Sequence, residues 1–148
     1  MVTFMKNRVI IGLIALIALC LSSCSTNEPS GRSLRTATID FRVPQSAWAF
    51  DDQNQWFSYY YQTSQMTEQV YNYGTWTMSH EYNRGTSNAY MIALPEFQFM
   101  IDGDTYYSQR IDYEVGLGYI RVYVTNSDYA YPAGWQPEEM WFHMQIVY

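Results

Sequence analysis

Two histidines, two cysteines and fourteen acids are the side chains through which this sequence could do acid–base, nucleophilic or metal chemistry. Their spacing narrows what they can do. His80 shares a strand face with Trp76, Met78 and Tyr82, and His143 falls opposite Phe142 and Met144. Zinc sites bring ligands together at close, recognisable spacings, which neither histidine has, so both are expected to be structural and no metal is expected. Asp102-Gly103-Asp104 supplies carboxylates of the kind calcium takes, six to eight oxygens at a time, but the full spacing of a calcium loop is missing. The same triplet closes a hairpin with no metal at all, and it is read as a turn. Asp51-Asp52 and Glu138-Glu139 are sequence neighbours, so on a strand their carboxylates point apart, whereas glycoside hydrolysis needs two that face each other. There is no Gly-x-Ser-x-Gly elbow, and two histidines leave little scope for a Ser–His pair. The expectation is a chain without catalytic residues or cofactor.

Aromatic side chains are the other chemistry available, with fifteen tyrosines, seven phenylalanines and five tryptophans. Tyr and Trp carry an apolar body and a polar tip, which suits sheet faces and interfaces. If Ile120, Val122 and Val124 turn inward, then Tyr119, Arg121 and Tyr123 share the outer face of their strand. Trp141 and His143 turn outward by the same parity on the last strand. Side by side, these two strands would form an aromatic platform with Arg121 at hand, able to stack on a sugar ring or dock a partner protein. The plainer alternative is that each strand leans its rings on its neighbours, and a bulge would exchange the two faces.

Such a platform needs strands, and period-two alternation supplies them. Ala37, Ile39, Phe41 and Val43 alternate with Thr38, Asp40 and Arg42 up to Pro44. Trp48–Phe50 reads as a short strand before the turn at Asp51–Asn54. Trp56–Gln62, Trp76–Tyr82, Tyr90–Leu94 and Phe97–Ile101 follow, then Thr105–Val115, Tyr119–Thr125 and Trp141–Tyr148. Thr67 and Gly74 bracket the one helical turn, as N-cap and terminator. Asn83–Asn88 and Asn126–Glu139 are loops. About eight short strands with turns between them predict an all-β antiparallel sandwich or barrel over residues 37–148.

The first 23 residues read differently. Lys6 and Arg8 precede an apolar run from Val9 to Leu19, and small residues follow, the layout of a secretory signal. Met1 and Met5 could each begin it, and Met5 sits better against Lys6. The run falls short of the roughly 20 residues that span a bilayer. Leu21-Ser22-Ser23-Cys24 resembles the bacterial lipobox, which implies diacylation of Cys24 and cleavage just before it. Residues 24–36 then form a lipidated tether, polar and marked by Pro29 and Gly31. Cleavage would leave 125 residues, one domain's worth, with six arginines against fourteen acids, a net charge of −8 and no lysine. That balance argues against nucleic acid and anionic headgroups as partners.

Met66-Thr67-Glu68 with Val70, Gly74 and Trp76, then Ala93-Leu94-Pro95, Ile111-Asp112-Tyr113 and Gly118-Tyr119-Ile120-Arg121-Val122, together resemble a group of small Bacteroidetes lipoproteins. The resemblance covers most of residues 37–148. It implies an immunoglobulin-like sandwich held at the cell envelope, at the outer membrane, and it carries no catalytic residue with it. The expected function is a lipid-anchored, non-catalytic binding or assembly module with envelope proteins or glycans as partners. A carbohydrate-binding surface lipoprotein is the alternative, and an envelope hydrolase a weaker third.

Overall fold

The computed structural model describes residues 33–128, 131 and 134–148. The expected signal sequence, Cys24 and the expected tether as far as residue 32 lie outside the described residues. From Leu34 to Tyr148 the chain forms one compact unit.

Among the described residues, nine strands build two antiparallel sheets packed as a sandwich. In chain order they are β1 (Thr36–Val43), β2 (Ala49–Asp51), β3 (Trp56–Gln62), β4 (Thr75–Tyr82), β5 (Tyr90–Ala93), β6 (Glu96–Asp102), β7 (Thr105–Gly116), β8 (Tyr119–Asn126) and β9 (Met140–Val147). The first sheet runs β1-β9-β4-β5 and the second β2-β3-β8-β7-β6. The expected all-β sandwich is thus the fold, with the short Trp48–Phe50 stretch present as β2. A 3-10 turn at Gln45–Ala47 follows Pro44, whose ring ends β1 and lets the chain cross to the second sheet. The chain returns to the first sheet through residues 63–74, crosses to the second again at Leu94-Pro95, which is cis, and returns in the loop after β8.

Alternation decides the core. On β8, Ile120, Val122 and Val124 are fully buried while Tyr119, Arg121 and Tyr123 are half-exposed. On β9, Phe142, Met144 and Ile146 are buried with Met78 of β4 and with Ile39, Phe41 and Val43 of β1. Each side chain fully buried in this way contributes about 1.5–3 kcal/mol over exposure. Phe41 stacks on Tyr61 across the two sheets, ring centres 4.4 Å apart.

The helix expected at Thr67–Gly74 is α1 (Glu68–Tyr73). Thr67 Oγ1 accepts from the N–H of Val70 at 3.2 Å, satisfying one of the free first-turn donors. Val70 and Met66 are buried, and Met66 O accepts from the N–H of Gly118. That bond ties the helix to the β7–β8 turn, so α1 closes one end of the sandwich. Gly103 and Asp104 make the two-residue turn expected from the Asp102–Asp104 triplet, with Gly103 at φ +59°, where a side chain would be strained.

Candidate functional site

The five platform residues do not meet. β8 lies inside the five-stranded sheet between β3 and β7, whereas β9 lies inside the four-stranded sheet between β1 and β4. Tyr119, Arg121 and Tyr123 therefore face out from one side of the sandwich, and Trp141 and His143 from the other. Parity gives the facing of both strands correctly, but it does not say which strands are neighbours.

Each half has its own neighbours. Arg121 lies over the rings of Trp56 and Tyr60 at 5.0 and 4.8 Å, and reaches Glu114 at 3.4 Å and Asp51 at 3.8 Å. Tyr123 packs on Trp56 and Tyr119 on Tyr60, 5.0 and 5.5 Å between ring centres. The side-chain amide of Asn54 holds the Asp51 carboxyl below its ordinary range, helped by the N–H groups of Asn54 and Gln53. Beside this cluster a groove of about 350 Å³ runs between Trp56, Tyr123, Phe97 and Arg110. On the opposite face Trp141 carries Arg84 on its ring at 4.1 Å, and its Nε1 donates to Glu139 at 3.2 Å. His143 Nδ1 meets Asp40 Oδ1 at 2.5 Å across the β1–β9 pair. Cross-strand partners account for most of these rings and charges, as the plainer alternative holds.

A different constellation assembles inside the sandwich, at the end away from α1. Here β4 finishes and β9 begins, with Glu81 paired to Trp141. At this end a cavity of about 450 Å³ opens between the sheets and extends past the strand ends to Glu81 and Trp141 on the outer face. His80, Tyr82, Gln98, Gln109, Trp135 and Trp141 are among its walls. Trp135 comes from the loop after β8, where it stacks on Tyr131 and packs edge-on against Phe57.

One buried carboxylate organises that wall. Glu96, 5% exposed, accepts from the Tyr82 hydroxyl at 2.5 Å and from Gln98 Nε2 at 2.9 Å, and faces His80 Nδ1 at 3.3 Å. Gln98 Nε2 also donates to the Tyr82 oxygen. Burial lowers the pKa of His80 below its ordinary value, against the opposing pull of Glu96. Burial first, then the hydrogen bond to Glu96, pushes the Tyr82 phenol far above its usual range. Because a carboxylate oxygen faces Nδ1, that nitrogen is the donor, and in the neutral imidazole the lone pair lies on Nε2. On β7 and β8, Gln109 Nε2 donates to Asn126 Oδ1 at 3.3 Å, and both residues are buried.

The sequence puts His80 on the strand face of Trp76, Met78 and Tyr82, which the structure turns inward, and its expected structural role omits the acid it faces. Glu96 sits sixteen residues away, just past the chain's crossing between sheets. The available signal was the alternation Glu96, Gln98, Met100 against Phe97, Phe99, Ile101, which puts polar residues on one face.

No family model matches this chain, and neither does any curated protein or solved structure.

Proposed function

We propose that this chain is a lipid-anchored, non-catalytic binding module of the bacterial cell envelope, held at the outer membrane through Cys24, and that the end cavity is its combining site. The observation that carries the binding reading is the Glu96 network at the cavity wall. Burying a carboxylate, an imidazole, a phenol and an amide together is costly unless each is satisfied. Titratable groups perturbed by burial beside a cavity make it a candidate binding site. The network holds its side chains in fixed orientations, which serves recognition. The anchor rests on Leu21-Ser22-Ser23-Cys24 after the apolar run.

Two measurements test the reading. Metabolic labelling with an alkyne fatty acid should mark the protein and Cys24→Ala should abolish the label; an unlabelled, freely soluble product would sink the anchor. A small-molecule screen read by the NMR signals of His80 and Trp135 should return ligands, and a screen with no binder at these residues would sink the combining site.

A carbohydrate-binding face is the second reading, and one observation favours it. The groove on the five-stranded sheet pairs the rings of Trp56, Tyr123 and Phe97 with the polar groups of Asn54, Ser108 and Thr125. Binding on a glycan array that disappears in Tyr123→Ala would move the function there.

A further inference from the structure

We propose that the end cavity binds a small ligand presenting a protonated amine, which it takes among acceptor atoms of His80, Gln98 and Gln109 beside the rings of Trp135 and Trp141. The proposal rests on the end cavity being the combining site.

The count of donors and acceptors leads to the amine. Gln98 spends its amide nitrogen on Glu96 and Tyr82, so its amide oxygen is left over. Gln109 gives one N–H of its amide to Asn126, and its amide oxygen is likewise left over. His80 points Nδ1 at Glu96 and keeps the Nε2 lone pair. Tyr82 donates its hydroxyl hydrogen bond to Glu96 and accepts from Gln98, so it has little left to offer. Among the described residues, the unpartnered side-chain polar atoms sealed from solvent are Trp56 Nε1 and Arg121 Nε, which belong to the cluster on β3 and β8 and not to this cavity. The three spare acceptors are therefore open, and the residues that carry them line the cavity. These acceptors, beside the carboxylates at the same end, suit a donor, and an ammonium has three N–H groups and no acceptor.

Charge selects the same way. Glu81, Glu138 and Glu139 stand among the lining residues, with Arg84 as the lining cation. Arg84 is held by Glu81 at 3.0 Å and stacks on Trp141. Glu139 is held by Arg42 at 2.8 Å, while Glu138 is exposed at the rim. An anionic ligand would meet this excess of carboxylates, and a cation would be drawn to it. The contact of Arg84 with Trp141 shows that this wall already accepts a cation over an indole. A volume of about 450 Å³ suits a sugar-sized or amino-acid-sized molecule.

The amine could sit on a sugar ring or on an alkyl chain, and the test separates these. Full-length protein in detergent is titrated with glucosamine, with lysine amide, with the N-acetylated form of each amine, and with glucuronate, read by calorimetry and tryptophan fluorescence. The expected result is that one amine binds about 10-fold or more tightly than its N-acetylated form, the scale of a charged hydrogen bond. Whichever amine does so names the source. Gln98→Met should weaken that binding by about 10-fold. Glu138→Gln, on the exposed rim and harmless to folding, should weaken it a few-fold. Equal or tighter binding of a neutral or anionic probe would overturn the amine and leave the cavity as a site. Amine binding untouched by both variants would place it elsewhere and overturn the proposal. Failure of all five probes while other molecules perturb His80 and Trp135 would overturn the amine alone; failure of everything would overturn the site with it.

Discussion

Replacing Glu96 with alanine is the most direct perturbation of the network that organises the cavity. The carboxylate faces donors from Tyr82, Gln98 and His80, and it is 5% exposed. Stranding a buried donor costs about 1–3 kcal/mol, so three in a sealed core would approach the high end of single-mutation effects. This core is not sealed, because His80, Tyr82 and Gln98 line a cavity that water can enter. The expected loss is therefore about 3 kcal/mol rather than the full sum. Urea unfolding measures it: with a slope near 2 kcal/mol/M the midpoint falls by about 1.5 M at unchanged slope. Tyr82→Phe removes one of the three donors and should cost about 1–2 kcal/mol. In the double variant the costs should overlap by about 1 kcal/mol, because Tyr82→Phe has already withdrawn the hydroxyl that Glu96→Ala would strand. A loss below about 0.5 kcal/mol for Glu96→Ala, the range of ordinary surface changes, would refute the network. So would strict additivity of the two.

Three further outcomes follow from the same structure. His80 has a folded-state pKa below its ordinary 6.5, so on acidification the unfolded chain takes up a proton first. Its contribution to stability is intact above about pH 6.5 and is lost as pH falls toward the folded value; NMR titration of the imidazole and a pH series of unfolding midpoints, with His143→Gln as background, measure this, and a His80 titrating above 6.5 would contradict it. Gly116 lies opposite Tyr119, whose ring would stand 2.2 Å from an added Cβ, so Gly116→Ala should cost about 1–3 kcal/mol in chemical unfolding and cost much less in combination with Tyr119→Ala. Phe99 is 93% exposed on β6, so Phe99→Gln should leave stability within about 0.5 kcal/mol while raising solubility, and a larger loss would mean that the ring is covered.

Most of the fold was legible because its signals are local. The alternation of Ile39, Phe41 and Val43, of Ile120, Val122 and Val124, and of Phe142, Met144 and Ile146 predicts the faces these residues take. Thr67 and Gly74 bracket α1 because capping and termination are settled within one turn. The platform failed for the opposite reason. Tyr123 and Trp141 face outward as expected, but whether β8 and β9 are neighbours depends on a crossover in the loop between them, and nothing within either strand records it. The role of Glu96 was hidden for a related reason, since its partners Tyr82 and His80 belong to the other sheet.

β6 shows what that network costs the fold. Alternation alone would turn Phe97, Phe99 and Ile101 inward, three large apolar side chains at period two. The structure turns them out, 61%, 93% and 69% exposed, and places Glu96 and Gln98 inside. Pairing of Glu96 with Ile111 and of Gln98 with Gln109 sets this register, and a one-residue slip would reverse every side chain. Burying the three apolar groups instead would be worth about 1.5–3 kcal/mol each. A register that forgoes this must be held by something on the inner face, and there Glu96 meets Tyr82, Gln98 and His80. Stability alone would favour the opposite choice. Places where local pattern and global fold disagree are where function is found, and on β6 the disagreement falls on the two residues that shape the cavity wall.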